Sequence, residues 1–157
     1  MSCVYYQDQT LHIENVSLAT IANEYETPCY VYSQKAIEKN YQAFAQAFQH
    51  IPHRICFAVK ANSNIAILRL LANMGAGFDI VSIGELKRVI AAEGSTNKVI
   101  FSGVGKTAAE VKQAIELGIF CFNVESEPEL ERIAAIAADL GKTADIMLRL
   151  NPNIDAK

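Results

Sequence analysis

The chain has 157 residues, 51% of them hydrophobic and 20% charged, with a formal net charge of −3, enough for one ordinary domain with a sizeable core. The mild acidity offers no basic surface for phosphate backbones, so nucleic acid is not an expected partner. No apolar run approaches the roughly 18 to 20 residues that span a bilayer, and the polar start MSCVYYQDQT lacks a signal-peptide pattern, so a cytoplasmic protein without a membrane partner is expected.

In chain order, the first 54 residues carry short alternating pieces, VYY, TLHI and PCYVYS, around a helix that Ser17 can cap. SQKAIEKNYQAFAQAFQ follows, with Ile37, Tyr41, Phe44 and Phe48 on one helical stripe. From Ile55 onward one unit repeats: an apolar run, a polar or glycine break, then a segment with helical spacing. The runs are ICFAVK, GFDIVS, KVIFSG, IFCFNVES and ADIMLRL, and their ends near Lys60, Ser82, Gly103, Ser126 and Asn151 recur every 21 to 25 residues. SIGE at 82–85, TAAE at 107–110 and SEPE at 126–129 each fit a capping box, and Gly75, Gly94, Gly118 and Gly141 supply helix stops.

Apolar strands alternating with helices predict a parallel sheet covered by helices. Two completions remain open: a doubly wound sheet of flavodoxin type, or the first five staves of an eight-stranded TIM-type (β/α) barrel. Eight units of about 23 residues need roughly 180 residues after Ile55, more than the chain has to Lys157, so a barrel would be incomplete.

Such folds place their sites at the carboxyl ends of the strands, which here carry Lys60, Asp79, Ser102, Asn123 with Glu125, and Arg149. Alternation places Cys56, Ala58 and Lys60 on one face of the first run, read as a fully buried strand. Lys60 reads either as a rim lysine whose stem lies along apolar surface or as an amine that condenses with an aldehyde. Asp79 reads as a solvated strand-end carboxylate or as a ligand. Arg149, in an apolar run, calls for an anionic partner: Asp79, Glu125 or a bound anion. Ser102, Asn123 and Glu125 read equally as ligands or as ordinary rim residues and loop caps. The glycines of FSGVGK match a phosphate loop only superficially, because GxxxxGK[ST] is missing. Cys3, Cys29, Cys56 and Cys121 lie far apart without a CxxC pair, suggesting neither disulfides nor a metal site, and His12, His50 and His53 all precede the repeats.

The combination FAVKAN, GAGFDIVSIGEL, VIFSGVGKTAAEVKQAI, NVESEPEL and LRLNP resembles the diaminopimelate decarboxylase family, within the alanine-racemase-like pyridoxal-phosphate enzymes. The resemblance implies a pyridoxal 5'-phosphate barrel with an added β-domain, a homodimer, and decarboxylation of meso-2,6-diaminopimelate to L-lysine. Lys60 then matches the family's Schiff-base lysine, Asp79 the aspartate of the FDxxS motif beside the cofactor, and Arg149 the arginine of the LR motif near the cofactor ring. Residues 1–32 are expected to supply strands of the β-domain and residues 33–157 the incomplete barrel. The ring-stacking histidine, the glycine-rich phosphate loop, the glutamate for the pyridine nitrogen, and the second-domain cysteine and tyrosine are expected beyond Lys157, so this portion alone is expected to be inactive. Decarboxylases of ornithine, arginine or carboxynorspermidine, a racemase, and a non-enzymatic pyridoxal-phosphate-binding barrel share the barrel and stand as alternatives. A five-stranded receiver-type module ranks last, because it wants acidic residues at its first strand and lysine at its fifth.

Overall fold

The structure is a computed structural model that describes residues 3–154. The outermost residues of the two expected segments, 1–2 and 155–157, lie outside the described residues. Backbone contacts divide the chain into two compact units, Met1–His53 and Arg54–Lys157.

In the first unit β1 (Val4–Gln7), β2 (Thr10–Ile13) and β3 (Val16–Ser17) form an antiparallel sheet in that order. Gln7 pairs with Thr10, so Asp8 and Gln9 make a two-residue turn with φ of 48° and 61°. Left-handed geometry at both positions matches the twist of the flanking strands. Helix α1 (Leu18–Tyr25) starts at Ser17, whose hydroxyl accepts from the Ala19 amide as expected. PCYVYS forms no strand, which corrects the reading from alternation. A strand needs a neighbour for its backbone groups, and among the described residues this segment joins neither sheet, leaving Tyr30 and Tyr32 exposed.

Helix α2 (Gln34–Ala47) starts at Ser33. The carboxylate of Glu14, in the turn between β2 and β3, accepts from the Ser33 hydroxyl at 2.7 Å and the Lys35 amide at 2.8 Å. An anion is thereby held against the positive end of α2. The Ser33 bond is the chief reason the Glu14 carboxyl lies below the usual carboxylate range, with the Lys35 amide next. Along the predicted stripe Ile37 and Tyr41 are half-buried, whereas Phe44 and Phe48 are exposed with ring centroids 5.1 Å apart.

In the second unit β4 (Cys56–Ala58), β5 (Gly77–Ile80), β6 (Val99–Phe101), β7 (Cys121–Val124) and β8 (Ile146–Leu148) form one parallel sheet in the order β4-β5-β6-β7-β8. Helices α3 (Ile65–Asn73), α4 (Ile83–Ala91), α5 (Ala108–Glu116) and α6 (Glu127–Asp139) lie between successive strands in the chain. A flavodoxin-type sheet would place its second strand outside its first. Each strand here lies beside its successor, which is the order of a barrel, so the barrel alternative is the observed one.

The sheet's two faces follow from the period of two. Phe78, Ile80, Val99, Phe101 and Phe122 point to the helices and are fully buried, with the Phe101 and Phe122 rings stacked at 5.9 Å. Burying each such side chain contributes roughly 1.5 to 3 kcal/mol. On the helices the buried residues include Leu68 and Leu71 of α3, Leu86 and Val89 of α4, Val111 and Ala114 of α5 and Ile133 of α6.

Strands end two or three residues before the predicted positions, because the last polar residues of each run leave the sheet to open the next segment. Ser82 and Ser126, for instance, are the cap residues of α4 and α6. Gly75, Gly118 and Gly141 take the left-handed conformation expected of helix stops. Gly94 does not: Glu93 takes that role with φ of 62°, and a Cβ at Gly94 would lie 2.7 Å from Val89 Cγ1 and 2.9 Å from Phe78 Cε2. This glycine serves close packing rather than the turn.

Candidate active site

On the face turned away from the helices, register aligns Ala58 with Asp79, and Asp79 with Ile100. At the other end of β5, Gly77 serves close packing: a Cβ there would come within 2.5 Å of the Lys98 carbonyl and 2.8 Å of Cys56 Sγ.

Residues of β5 and β7 and the residue just past β6 form one hydrogen-bonded ladder here. Asn123 of β7 donates from Nδ2 to the Ser102 hydroxyl at 2.8 Å, and that hydroxyl donates to Asp79 Oδ1 of β5. A serine hydroxyl has one proton, so receiving the Asn123 bond commits that proton to Asp79. The ladder therefore presents the Asp79 carboxyl as an acceptor. Ser102 is buried, which sequence reasoning left undecided between a rim residue and a ligand. It is the joint of the ladder.

Lys60 lies where β4 ends, in the 3-10 turn Val59–Ala61, and not in the strand itself. Strand alternation stops at Ala58, so the expected Cys56–Ala58–Lys60 face breaks before the lysine. The expectation of a fully buried strand is also corrected: β4 is an edge of the sheet and half-buried, and Lys60 is exposed. Only Val59 of the turn is buried. It plugs into the core and turns the next side chain outward. Among the described residues the Lys60 ammonium has no hydrogen-bond or ion-pair partner.

Arg149 follows β8, its amide bonded to the Val124 carbonyl. Of the anionic partners considered, Glu125 is the observed one, with Nη1 3.3 Å from Oε1 and the arginine side chain 61% exposed. Asp79 is engaged by Ser102 instead. Lys60, Asp79 and Arg149 thus stand at the carboxyl ends of β4, β5 and β8, while only Asp79 belongs to the ladder.

The feature missed by sequence reasoning is Lys106 of FSGVGK. Its ammonium is buried and bonded to the Gly103 and Asn123 carbonyls, both at 2.7 Å, and to Glu129 Oε1 at 2.6 Å. The spacing of SEPE fits a capping box, but the second oxygen of Glu129 accepts from the Glu125 amide at 2.9 Å, and Ser126 makes no side-chain cap. The signal was present: on the spacing of α6, Glu129 shares the buried stripe of Ile133 and Ala137, and a carboxylate there needs a cation.

Cys56 and Cys121 lie lower on the open face. Burial pushes both thiols up, that of Cys121 to about 11, so near neutral pH they pack as protonated groups. No cluster of three or more metal-ligating side chains occurs among the described residues.

The donor set suits a pyridoxal cofactor on chemical grounds. An accessible primary amine can take an aldehyde, and an acceptor carboxylate is fixed one strand away.

Residues 34–157 match the family model for the pyridoxal-binding domain of pyridoxal-dependent decarboxylases. Diaminopimelate decarboxylase of Vibrio cholerae serotype O1 is 56% identical over 153 residues, which is 98% of this chain and 37% of that protein. The solved structure of the M. jannaschi diaminopimelate decarboxylase matches with a TM-score of 0.93 at 37% identity, over 99% of this chain and 37% of that one. The Helicobacter pylori enzyme, solved with L-lysine, matches with a TM-score of 0.86 at 44% identity, over 89% and 36%. The chain thus spans a little over a third of the length of these relatives.

Proposed function

We propose, from the premise that this chain belongs to the pyridoxal-dependent decarboxylases through their pyridoxal-binding domain, that the full-length protein converts meso-2,6-diaminopimelate to L-lysine and carbon dioxide. The observation that carries the substrate assignment is the 56% identity, over 98% of this chain, to a diaminopimelate decarboxylase. The placement of an amine, a carboxylate and an arginine at the carboxyl ends of β4, β5 and β8 supports the reaction class.

Lys60 would hold the cofactor aldehyde through its Nζ, and Asp79 and Arg149 would flank the ring. Bound pyridoxal phosphate supplies an electron sink for the pair left behind when carbon dioxide departs. The Lys60 amine would also serve as a base able to hold a proton at Nζ. Ser102 keeps one Asp79 oxygen occupied, so the carboxylate turns its other lone pairs to the site. Arg149, partly neutralised by Glu125, offers a cation at the rim for an anionic group. A homodimer in the cytoplasm is the proposed working form, and no helix among the described residues is long and apolar enough to cross a membrane.

The test uses full-length protein loaded with pyridoxal phosphate. Wild type is expected to show a visible cofactor band and to release carbon dioxide from meso-diaminopimelate, and Lys60→Ala to lose both. A band that survives Lys60→Ala overturns the lysine assignment. Release from ornithine, arginine or carboxynorspermidine in place of diaminopimelate overturns the substrate assignment.

A further inference from the structure

The buried pair Lys106–Glu129 is costly to build: two charges leave water, with side chains only 1% and 7% exposed, and such pairs often contribute little net stability. Its bonds are concentrated at one place. The three ammonium protons are spent on the Gly103 carbonyl, the Asn123 carbonyl and Glu129. The second Glu129 oxygen takes the Glu125 amide, and the Lys106 carbonyl accepts from Arg132 Nη1 at 3.1 Å. The pair therefore grips the end of β7 from both sides, at the carbonyl of Asn123 and the amide of Glu125.

Those two residues carry the site's polar connections. The Asn123 side chain starts the ladder through Ser102 to Asp79, and the Glu125 carboxylate holds Arg149. A rotation of the backbone between 123 and 125 would disturb both at once. Helix α6 also forgoes the ordinary neutral serine cap at Ser126 to have Glu129 in this role.

We infer that Lys106 and Glu129 are positioning residues, an ion-pair clamp that orients Asn123 toward Asp79 and Glu125 toward Arg149 without touching the reacting groups. The inference rests on the proposed function for its consequence in catalysis. Its geometry is independent of any bound group.

The experiment compares full-length wild type with Glu129→Gln, Glu125→Gln and the double variant. Amide exchange at Glu125, measured on cofactor-free protein, is expected to quicken in Glu129→Gln. In the loaded enzyme kcat/KM for diaminopimelate is expected to fall about 10- to 100-fold, the range for groups that orient site residues. The losses from Glu129→Gln and Glu125→Gln are expected to be non-additive. Should Glu129→Gln not fold, Lys106→Met combined with Glu129→Met leaves no unpaired buried charge and is expected to show the same loss. Unchanged exchange at Glu125 overturns the clamp, as does wild-type kcat/KM in whichever variant folds, or losses that simply multiply. If wild type itself does not decarboxylate diaminopimelate, the proposed function fails, while the exchange measurement still decides the clamp.

Discussion

Arg149 and Lys106 show how differently a charge behaves at a rim and inside a protein. Arg149 pairs with Glu125 while more than half exposed, so water screens the pair and its contribution to stability is at most about 1 kcal/mol. Removing it should barely disturb folding. Arg149→Gln in the full-length protein is therefore expected to keep its midpoint of denaturation within that margin while kcat/KM falls about tenfold or more. Thermal unfolding and steady-state kinetics on one preparation check the split, and an equal loss in both would mean that the arginine is structural. Lys106 is the opposite case, since removing one partner strands a buried charge at a cost of roughly 3 to 5 kcal/mol. Lys60 falls with Arg149: exposed and unpaired among the described residues, it is an amine available to a reactant.

The helix starts show how one sequence signature yields three structures. At 107–110 the box is complete, with the Glu110 amide donating to the Thr107 hydroxyl and the Thr107 amide donating to Glu110. At 82–85 Ser82 accepts from the Glu85 amide, but the Glu85 carboxylate takes the Val81 amide, one residue earlier. At 126–129 a lysine elsewhere in the chain claims the glutamate. Glu110 also accepts from the Ile83 amide at 3.2 Å, tying α5 to the start of α4. Partial burial pushes its carboxyl up, but the Thr107 amide and hydroxyl, with Ile83, outweigh this and hold it below the usual range. A carboxyl lowered by folding contributes stability that is present above its unfolded pKa and disappears as pH falls through the folded one. Glu110→Gln is accordingly expected to cost about 1 kcal/mol near neutral pH, with the difference from wild type closing in acid below the folded pKa. Urea denaturation of the full-length protein at several pH values measures it, and a gap that widens on acidification would reverse the sign argued here.

Across the whole molecule, the helix-facing layer of Phe78, Phe101 and Phe122 joins three strands to the helices that cover them. Phe101→Ala should cost roughly 3 to 5 kcal/mol, read as a lower denaturation midpoint of the full-length protein, and a loss below about 1 kcal/mol would show that the layer collapses around the gap. This layer was legible in the chain, because apolar runs at a steady interval can be satisfied only by a covered parallel sheet, and local turn chemistry marked Ser17, Thr107 and the stops at Gly75, Gly118 and Gly141. The residues at the strand ends were legible as candidates for the same reason, since strand period and run length depend on near neighbours alone. What they touch was not. Whether Asp79 meets Arg149 or Ser102, and whether Glu129 caps its own helix or neutralises Lys106, depends on contacts between residues more than twenty positions apart. The barrel order of the strands, the exposure of Lys60 and the clamp on β7 were decided in the same way. Local sequence sets which conformations each segment prefers, but a charged or hydrogen-bonding group takes the partner that folding brings within about 3 Å, and that proximity exists only once the strands are aligned.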